Sequence, residues 1–274
     1  MAIHSFLKAE RGDPDWQFSP ESYYGKEFKI IDANMIEVNA GDAERVVLRQ
    51  NPTEKDLLAK HLTVTVQSGG SLELIILNEV DANLQQVFLY DIHVKENAIV
   101  SLGIFARNGR LNKHIVQIFQ ESTSQFAAYG LATNTEQGDT EIVTKVVLQG
   151  PDSQSHQLFL GLADNGSQTV FQSTVIAEEV SEGSVIGIEN ANLITGVGGR
   201  CFSKPETYLN SDYCSSEYAS ETNTLSLEKI GYLKSRGIDE ETARELIISS
   251  FRNQVIELIN QETIREEVRE MYVD

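Results

Sequence analysis

Val66-Gln-Ser-Gly-Gly-Ser-Leu-Glu-Leu-Ile-Ile-Leu77 and Val94-Lys-Glu-Asn-Ala-Ile-Val-Ser-Leu-Gly-Ile-Phe105 align without a gap at an offset of 28 residues. Apolar side chains coincide at Val66/Val94, Leu72/Val100, Leu74/Leu102, Ile76/Ile104 and Leu77/Phe105. Each copy reads as a strand end, a tight turn and an alternating strand. A unit of that size cannot close a core alone. Stacked coils of a β-solenoid repeat the same inward positions once per turn, so that neighbours bury each other. An antiparallel sandwich alternates too, and periodicity by itself leaves both architectures open.

Outward from this pair, alternation continues in short runs from Phe28 to about Tyr213, as at Leu62/Val64/Val66 and Phe88/Tyr90/Ile92/Val94. Turn clusters separate the runs: Ser68-Gly69-Gly70, Glu96-Asn97, Asn108-Gly109, Gly138-Asp139, Asp164-Asn165-Gly166 and Glu182-Gly183. Residues 1–27, with Gly12, Pro14, Trp16 and Pro20, keep neither period and read as an irregular lead-in. Beyond Leu225 the period becomes helical. Ser226 is placed to cap a helix through Ser235, carrying Leu227, Ile230 and Leu233 on one face and Gly237 as its left-handed stop. Asp239 caps a second helix with the stripe Ala243, Leu246, Ile247, Phe251, Val255, Leu258 and Ile259, and a last segment carries Ile264, Val268 and Met271. The expected organisation is a lead-in over 1–27, a β-body over 28–224 and a small helical domain over 225–274.

Composition narrows the partners. The 274 residues include 41 acidic and 22 basic side chains, a formal charge of −19, and the basic residues form no local run. Such a chain repels phosphate backbones and anionic bilayers, which argues against nucleic acid and membrane partners. No stretch approaches the roughly 18 apolar residues of a membrane span, and the first residues carry no apolar leader. Cys201 and Cys214 alone make no disulfide framework and suit a reducing, cytoplasmic setting.

Familiar catalytic motifs are missing: no phosphate-binding glycine loop, no Gly-x-Ser-x-Gly elbow, no His-Glu-x-x-His and no Cys-x-x-Cys occurs. The five histidines are isolated from one another; His93 lies within an alternating strand, and His156 opens the strand ending at Leu162. Both cysteines fall where the β-body meets the helices. A thiolate there suits iron or an iron-sulfur cluster, with the carboxylates around Asp212-Tyr-Cys-Ser-Ser-Glu217 as harder ligands. A buried apolar thiol in the final coils is the structural alternative.

The segment Lys204-Pro-Glu-Thr-Tyr-Leu-Asn-Ser-Asp-Tyr-Cys214, followed by Leu227-Glu-Lys-Ile-Gly-Tyr-Leu-Lys-Ser-Arg-Gly-Ile238 and Ala243-Arg-Glu-Leu-Ile-Ile-Ser-Ser-Phe251, resembles the closing signature of the SufB/SufD family. Ser155-His-Gln-Leu-Phe-Leu160 with Val170-Phe171 looks like an earlier coil of the same family. The resemblance covers about residues 155–260. It implies a mainly β fold, a right-handed parallel β-helix followed by a small C-terminal α-helical domain. It also implies a non-catalytic role as a scaffold subunit in iron-sulfur cluster assembly. The implied partners are a SufC-like ABC ATPase, docked through the C-terminal helices, and a SufB-like subunit or a second copy, paired through the β-helix. Carried over residue by residue, the ATPase surface falls on Leu227, Ile230, Tyr232, Leu233, Arg236, Gly237, Leu246 and Phe251. The metal ligands fall on Cys214, Glu217 and Cys201, with a transient iron-sulfur cluster as cargo and no nucleotide bound directly.

Two departures accompany the resemblance. The family's Cys-Ser-His becomes Cys214-Ser215-Ser216, leaving Glu217 as the nearest titratable side chain. The irregular start leaves no room for the N-terminal helical region usual in the family. Two other readings keep the fold: an architectural homodimer that binds no cluster, and a carbohydrate-active enzyme with carboxylates in a groove of the β-helix.

Overall fold

The computed structural model describes residues 22–23, 26–27, 30–50, 57–135 and 137–272. The expected lead-in over 1–27 lies largely outside the described residues. What is described of it is a short antiparallel pair, β1 (Ser22–Tyr23) with β2 (Lys26–Glu27).

The alternating runs form two seven-stranded sheets that face each other across a closed interior. One sheet holds β3 (Ile30–Val38), β5 (Leu57–Val66), β7 (Gln85–Val94), β9 (Leu111–Gln120), β11 (Asp139–Leu148), β13 (Gln168–Ala177) and β15 (Arg200–Leu209). The other holds β4 (Ala43–Gln50), β6 (Ser71–Glu79), β8 (Ile99–Arg107), β10 (Gln125–Asn134), β12 (Gln154–Ala163), β14 (Val185–Ile194) and β16 (Ser215–Thr224). Consecutive strands always lie in opposite sheets, and every neighbouring pair within the two large sheets is parallel. A sandwich built on antiparallel hairpins is thereby excluded: the body is a parallel β-solenoid.

The register explains the sequence match. Ser71 pairs with Ile99 and Val66 with Val94, so one coil takes 28 residues here, and all five apolar coincidences are Cα partners. Leu72, Leu74, Ile76, Val100, Leu102 and Ile104 point into the lumen, whereas Leu77 and Phe105 are buried on the outer face. Later coils drift in length. Gln85 pairs with Leu111, a step of 26, and Gln168 with Arg200, a step of 32, so no fixed offset aligns more than a few coils.

One corner of the coil is held by a stack of left-handed residues: Gly69, Asn97, Thr123, Asp152 and Gly183, the non-glycines at φ between 56° and 57°. Each donates its backbone N–H to the next coil, as from Asn97 to the Ser122 carbonyl (3.1 Å) and from Thr123 to the Pro151 carbonyl (2.8 Å). The lumen begins apolar and takes in polar side chains further along. Near its middle, His114 lies beside both Phe88 and Tyr90, with ring centroids 4.9 and 5.9 Å away, and takes a 3.1 Å hydrogen bond with the Tyr90 hydroxyl. Burial drives its pKa down to about 3, so the imidazole is neutral. Further along, Gln157 accepts from Thr144 (2.5 Å) and donates to Ser173 (3.0 Å), and Asn192 donates to Asn190 (2.7 Å). These partners satisfy polar groups that would otherwise be costly in a closed interior.

Three helices follow: α1 (Leu227–Ser235), α2 (Glu240–Ile256) and α3 (Glu262–Met271). The capping forms as the sequence predicts. Ser226 accepts from the Lys229 N–H, and Asp239 accepts from the Thr242 N–H and hydroxyl, which lowers the Asp239 pKa. Gly237 sits at φ 86° after α1. The helix expected to carry the stripe through Ile259 ends at Ile256, although Ile259 still packs in the core. Leu258 and Ile259 bond back three residues, to Val255 and Ile256, which tightens the last turn and leaves Leu258 exposed. The helices lie flat on the outer face of the second sheet, where Val255, Ile256, Ile264, Val268 and Tyr272 cover Leu77, Phe105, Tyr129 and Leu131. Arg49 ties α3 to β4 through a two-pronged contact with Glu267, both bonds 2.5 Å, and Asn260 donates to Glu73 (3.0 Å).

Candidate functional site

The last coil differs from the others because no further coil covers it. Every residue of β16 is exposed, and β15 alternates between exposed and half-buried. Tyr218, whose register partner Ile188 is buried in the lumen, is 73% exposed at the open end. The sequence Ser215-Ser-Glu-Tyr-Ala-Ser-Glu-Thr-Asn-Thr224 has no apolar alternation and does not announce a strand. Parallel pairing of all ten residues with β14 makes it one.

The three expected metal ligands all belong to this coil but do not converge. Cys201 opens β15, where its sulfur accepts a hydrogen bond from the Thr169 hydroxyl (3.2 Å), and burial raises its pKa. Cys214 lies in the turn after β15, packed against the lumen core, and its thiol donates to the Ser181 carbonyl (2.9 Å). The ten-residue strand between them separates the two thiols by roughly 30 Å. Glu217 faces the other way. It pairs in register with Gly187, and Gly187 with His156, all on the outer face.

There the missing side chain of Gly187 leaves a depression of about 340 Å³ whose lining includes His156, Glu189, Ser215 and Glu217. The imidazole lies across the glycine: a Cβ at position 187 would come within 2.5 Å of His156 Nδ1. His156 and Glu217 therefore line one depression from either side of Gly187, a juxtaposition created by register and invisible in the linear sequence. Ser216, at the position of the family's imidazole, pairs with the buried Ile186 and points to the lumen mouth. Among the described residues, no three His, Cys, Asp or Glu side chains are grouped to hold a metal ion.

The expected docking residues divide by exposure. Leu227 (80%), Tyr232 (59%) and Leu246 (47%) face solvent, and Arg236 lies with its guanidinium 5.3 Å from the Tyr232 ring centroid. Ile230 is 4% exposed and closes a small core with Leu193, Leu225 and Ala243, against which Leu233 and Phe251 also pack. Those three hold α1 and α2 to the solenoid, and Gly237 ends α1. A groove of about 550 Å³ runs between the edge of the second sheet and these helices, lined among others by Asn223, Lys229, Leu233, Leu246 and Phe251. Among the described residues no helix is long and apolar enough to cross a membrane.

Comparison with known proteins agrees with this architecture. Residues 23–251 match the family model described as the SufBD core domain of SUF system FeS cluster assembly. The chain is 25% identical over 212 residues to Protein ABCI7, chloroplastic, of Arabidopsis thaliana, covering 76% of this chain and 44% of that one. A protein of Synechocystis sp. named as an iron-sulfur cluster assembly SufBD family protein is 22% identical over 172 residues, 63% of this chain and 38% of its own. A Mycobacterium leprae protein with the same family name is 30% identical over 124 residues, 42% of this chain and 32% of its own. The chain thus spans less than half the length of these curated relatives. With the family model matched over most of its length, the chain belongs to the SufBD family of iron-sulfur cluster assembly proteins.

Proposed function

We propose that the protein is a non-catalytic scaffold subunit of a SUF-type assembly complex in a reducing, cytoplasmic setting. The observation that carries this reading is the uncovered last coil, which holds two half-buried thiols outside any disulfide and a strand with one free edge beside exposed helix side chains. The open end receives another β-helix subunit. Leu227, Tyr232, Arg236 and Leu246 form the surface for a SufC-like ATPase, with the adjoining groove between helices and sheet as its continuation.

The growing cluster is cargo. The dispersed donors support a site completed across the subunit interface, with Cys214 contributed by this chain at the turn end of β16, and with Cys201 and the oppositely facing Glu217 outside the ligand set. One soft thiolate from this chain leaves further positions on iron for the second subunit. ATP acts on the partner ATPase. It favours one arrangement of the helices by a few kcal/mol, which is enough to shift a two-state population.

The test uses the double variant Leu227→Glu/Tyr232→Glu, whose side chains take no part in the helical core. Binding to the cognate ATPase should fall at least about tenfold with an unchanged melting curve. Undiminished binding would sink the docking assignment. Anaerobic reconstitution with iron and sulfide, with the partner subunit present, should be impaired by Cys214→Ala and not by Cys201→Ala. Equal loading of wild type and both variants would favour the architectural reading without cluster ligation.

A further inference from the structure

Asn-Gly occurs twice in the chain, as Asn108-Gly109 between β8 and β9 and as Asn165-Gly166 between β12 and β13. In both turns the two residues stand at positive φ, 56° and 108° in the first, 44° and 78° in the second. The dipeptide carries a chemistry of its own. The nitrogen after an asparagine can close a five-membered ring on the carboxamide carbon, and a glycine there puts no side chain in the way.

The two pairs are held differently. Asn108 Oδ1 accepts from the Thr135 N–H (3.1 Å) and from the Thr135 hydroxyl (3.2 Å). Gly109 is buried against Val80 and Asn112, and its carbonyl accepts from Asn134 Nδ2 (3.1 Å). The first carboxamide is thus pinned, and the nitrogen beside it is out of solvent.

Asn165 and Gly166 are both exposed, and the space where a Gly166 side chain would stand is open. Their turn is closed by the Ser167 N–H on the Asp164 carbonyl (2.8 Å) and by the Asp164 N–H on Ser167 Oγ (2.9 Å). Neither bond uses the Asn165 carboxamide or the Gly166 N–H. Such an exposed corner opens at less cost than a strand packed on the lumen, and a brief opening lets the nitrogen reach Asn165 Cγ.

We propose that Asn165 is a site of spontaneous deamidation and isoaspartate formation in the folded protein, and that Asn108 is protected. Solvent base takes the Gly166 amide proton, and the nitrogen bonds to Asn165 Cγ. The Cγ–Nδ2 bond breaks, Nδ2 takes up a proton, and ammonia leaves a succinimide behind. Water then opens the ring. Cleavage of the new Cγ–N bond gives an aspartate, and cleavage of the original peptide bond gives an isoaspartate whose main chain runs through Cβ and Cγ.

The following coil registers the product. A Cβ at Gly196 would collide with Asp164 Oδ1, and one at Gly198 would lie 3.3 Å from the Gly166 Cα, so the turn over 196–199 is seated on this corner. Isoaspartate lengthens the main chain beneath that seat and sets a second carboxylate beside Asp164.

The test ages the full chain in mildly alkaline buffer, folded and in denaturant. Peptide mass spectrometry follows both asparagines, and labelling by an isoaspartyl methyltransferase counts the rearranged bonds. In the folded chain Asn165 should convert at least about tenfold faster than Asn108, and in denaturant the difference should largely disappear. Asn165→Gly removes the carboxamide and suits φ 44°, so its aged folded form should stay unlabelled with an essentially unchanged melting curve. Hydrogen exchange over 195–199 should quicken in the aged wild type and not in aged Asn165→Gly.

Conversion at Asn108 level with or ahead of Asn165 in the folded chain would overturn the proposal. So would an Asn165 that stays intact while both sites convert in denaturant. Exchange that quickens alike in both aged chains would contradict the seating of the following coil on this corner.

Discussion

His114 sits neutral in the lumen beside two aromatic rings, and that fixes how acid acts on the fold. Its folded pKa, about 3, lies below the ordinary 6.5, so between those values the unfolded chain binds the extra proton. Stability from this residue is complete above about pH 6.5 and falls by at most about 1.4 kcal/mol per unit on acidification toward 3. His61 acts oppositely. Its 2.8 Å contact with Asp91 raises its pKa, so its contribution is present below the ordinary imidazole value and lost as pH rises through the raised one. Chemical-denaturation midpoints from pH 4 to 7 should therefore slope more gently in His114→Gln than in wild type. At the coil corner, Thr123 holds a β-branched side chain at φ 56°, a conformation costing on the order of 1 kcal/mol. Thr123→Asn should raise the melting temperature by about 2 °C. Neither feature is legible in the sequence. His114 lies in an alternating run like any other, and Thr123 lacks the Gly or Asn that marks its neighbours Gly69 and Asn97 in the corner stack.

At the scale of elements, sequence patterning is readable wherever the lumen or a local cap imposes it. Strands β6 to β8 announce themselves because lumen burial selects every second residue, and α1 and α2 announce their starts because Ser226 and Asp239 cap them through local hydrogen bonds. Strand β16 is silent for the opposite reason. With all ten residues exposed, nothing selects an alternating pattern, and only backbone pairing with β14 defines the strand. The candidate site suffers most from this silence, since His156 and Glu217 are 61 positions apart and come to line one depression only through the register of β12, β14 and β16. The helices' seat on the second sheet is equally non-local, with Arg49 and Glu267 separated by 218 positions. Val268, fully buried at that seat, offers a direct probe. A carboxylate there has no partner, so Val268→Asp should cost about 3 kcal/mol or more. Hydrogen exchange should then show α3 amides losing protection while β8 and β10 keep theirs. Unchanged protection across α3 would contradict the packing described.

For the whole molecule, the offset of 28 holds across the first three coils and then varies between 26 and 32, because turns tolerate insertions that strands stacked on a lumen do not. The repeat therefore suggests a solenoid without proving one, and the parallel registers decide it. Net charge acts at this scale as well. Two copies of a −19 chain repel each other, so self-association should tighten as ionic strength rises from about 0.05 to 0.5 M, the reverse of an interface held by ion pairs. Sedimentation across a salt series checks this. The central claim, that the protein is a scaffold on which iron-sulfur clusters are assembled with an ATPase partner, is tested most directly by anaerobic affinity purification of the tagged protein from its own cells. Subunit identification would be combined with iron and acid-labile sulfide analysis. The account predicts an ABC-type ATPase in the complex and a cluster whose yield falls with Cys214→Ala. A chain that purifies without any ATPase, and that neither carries nor rebuilds a cluster when ATPase and partner subunit are supplied, would contradict it.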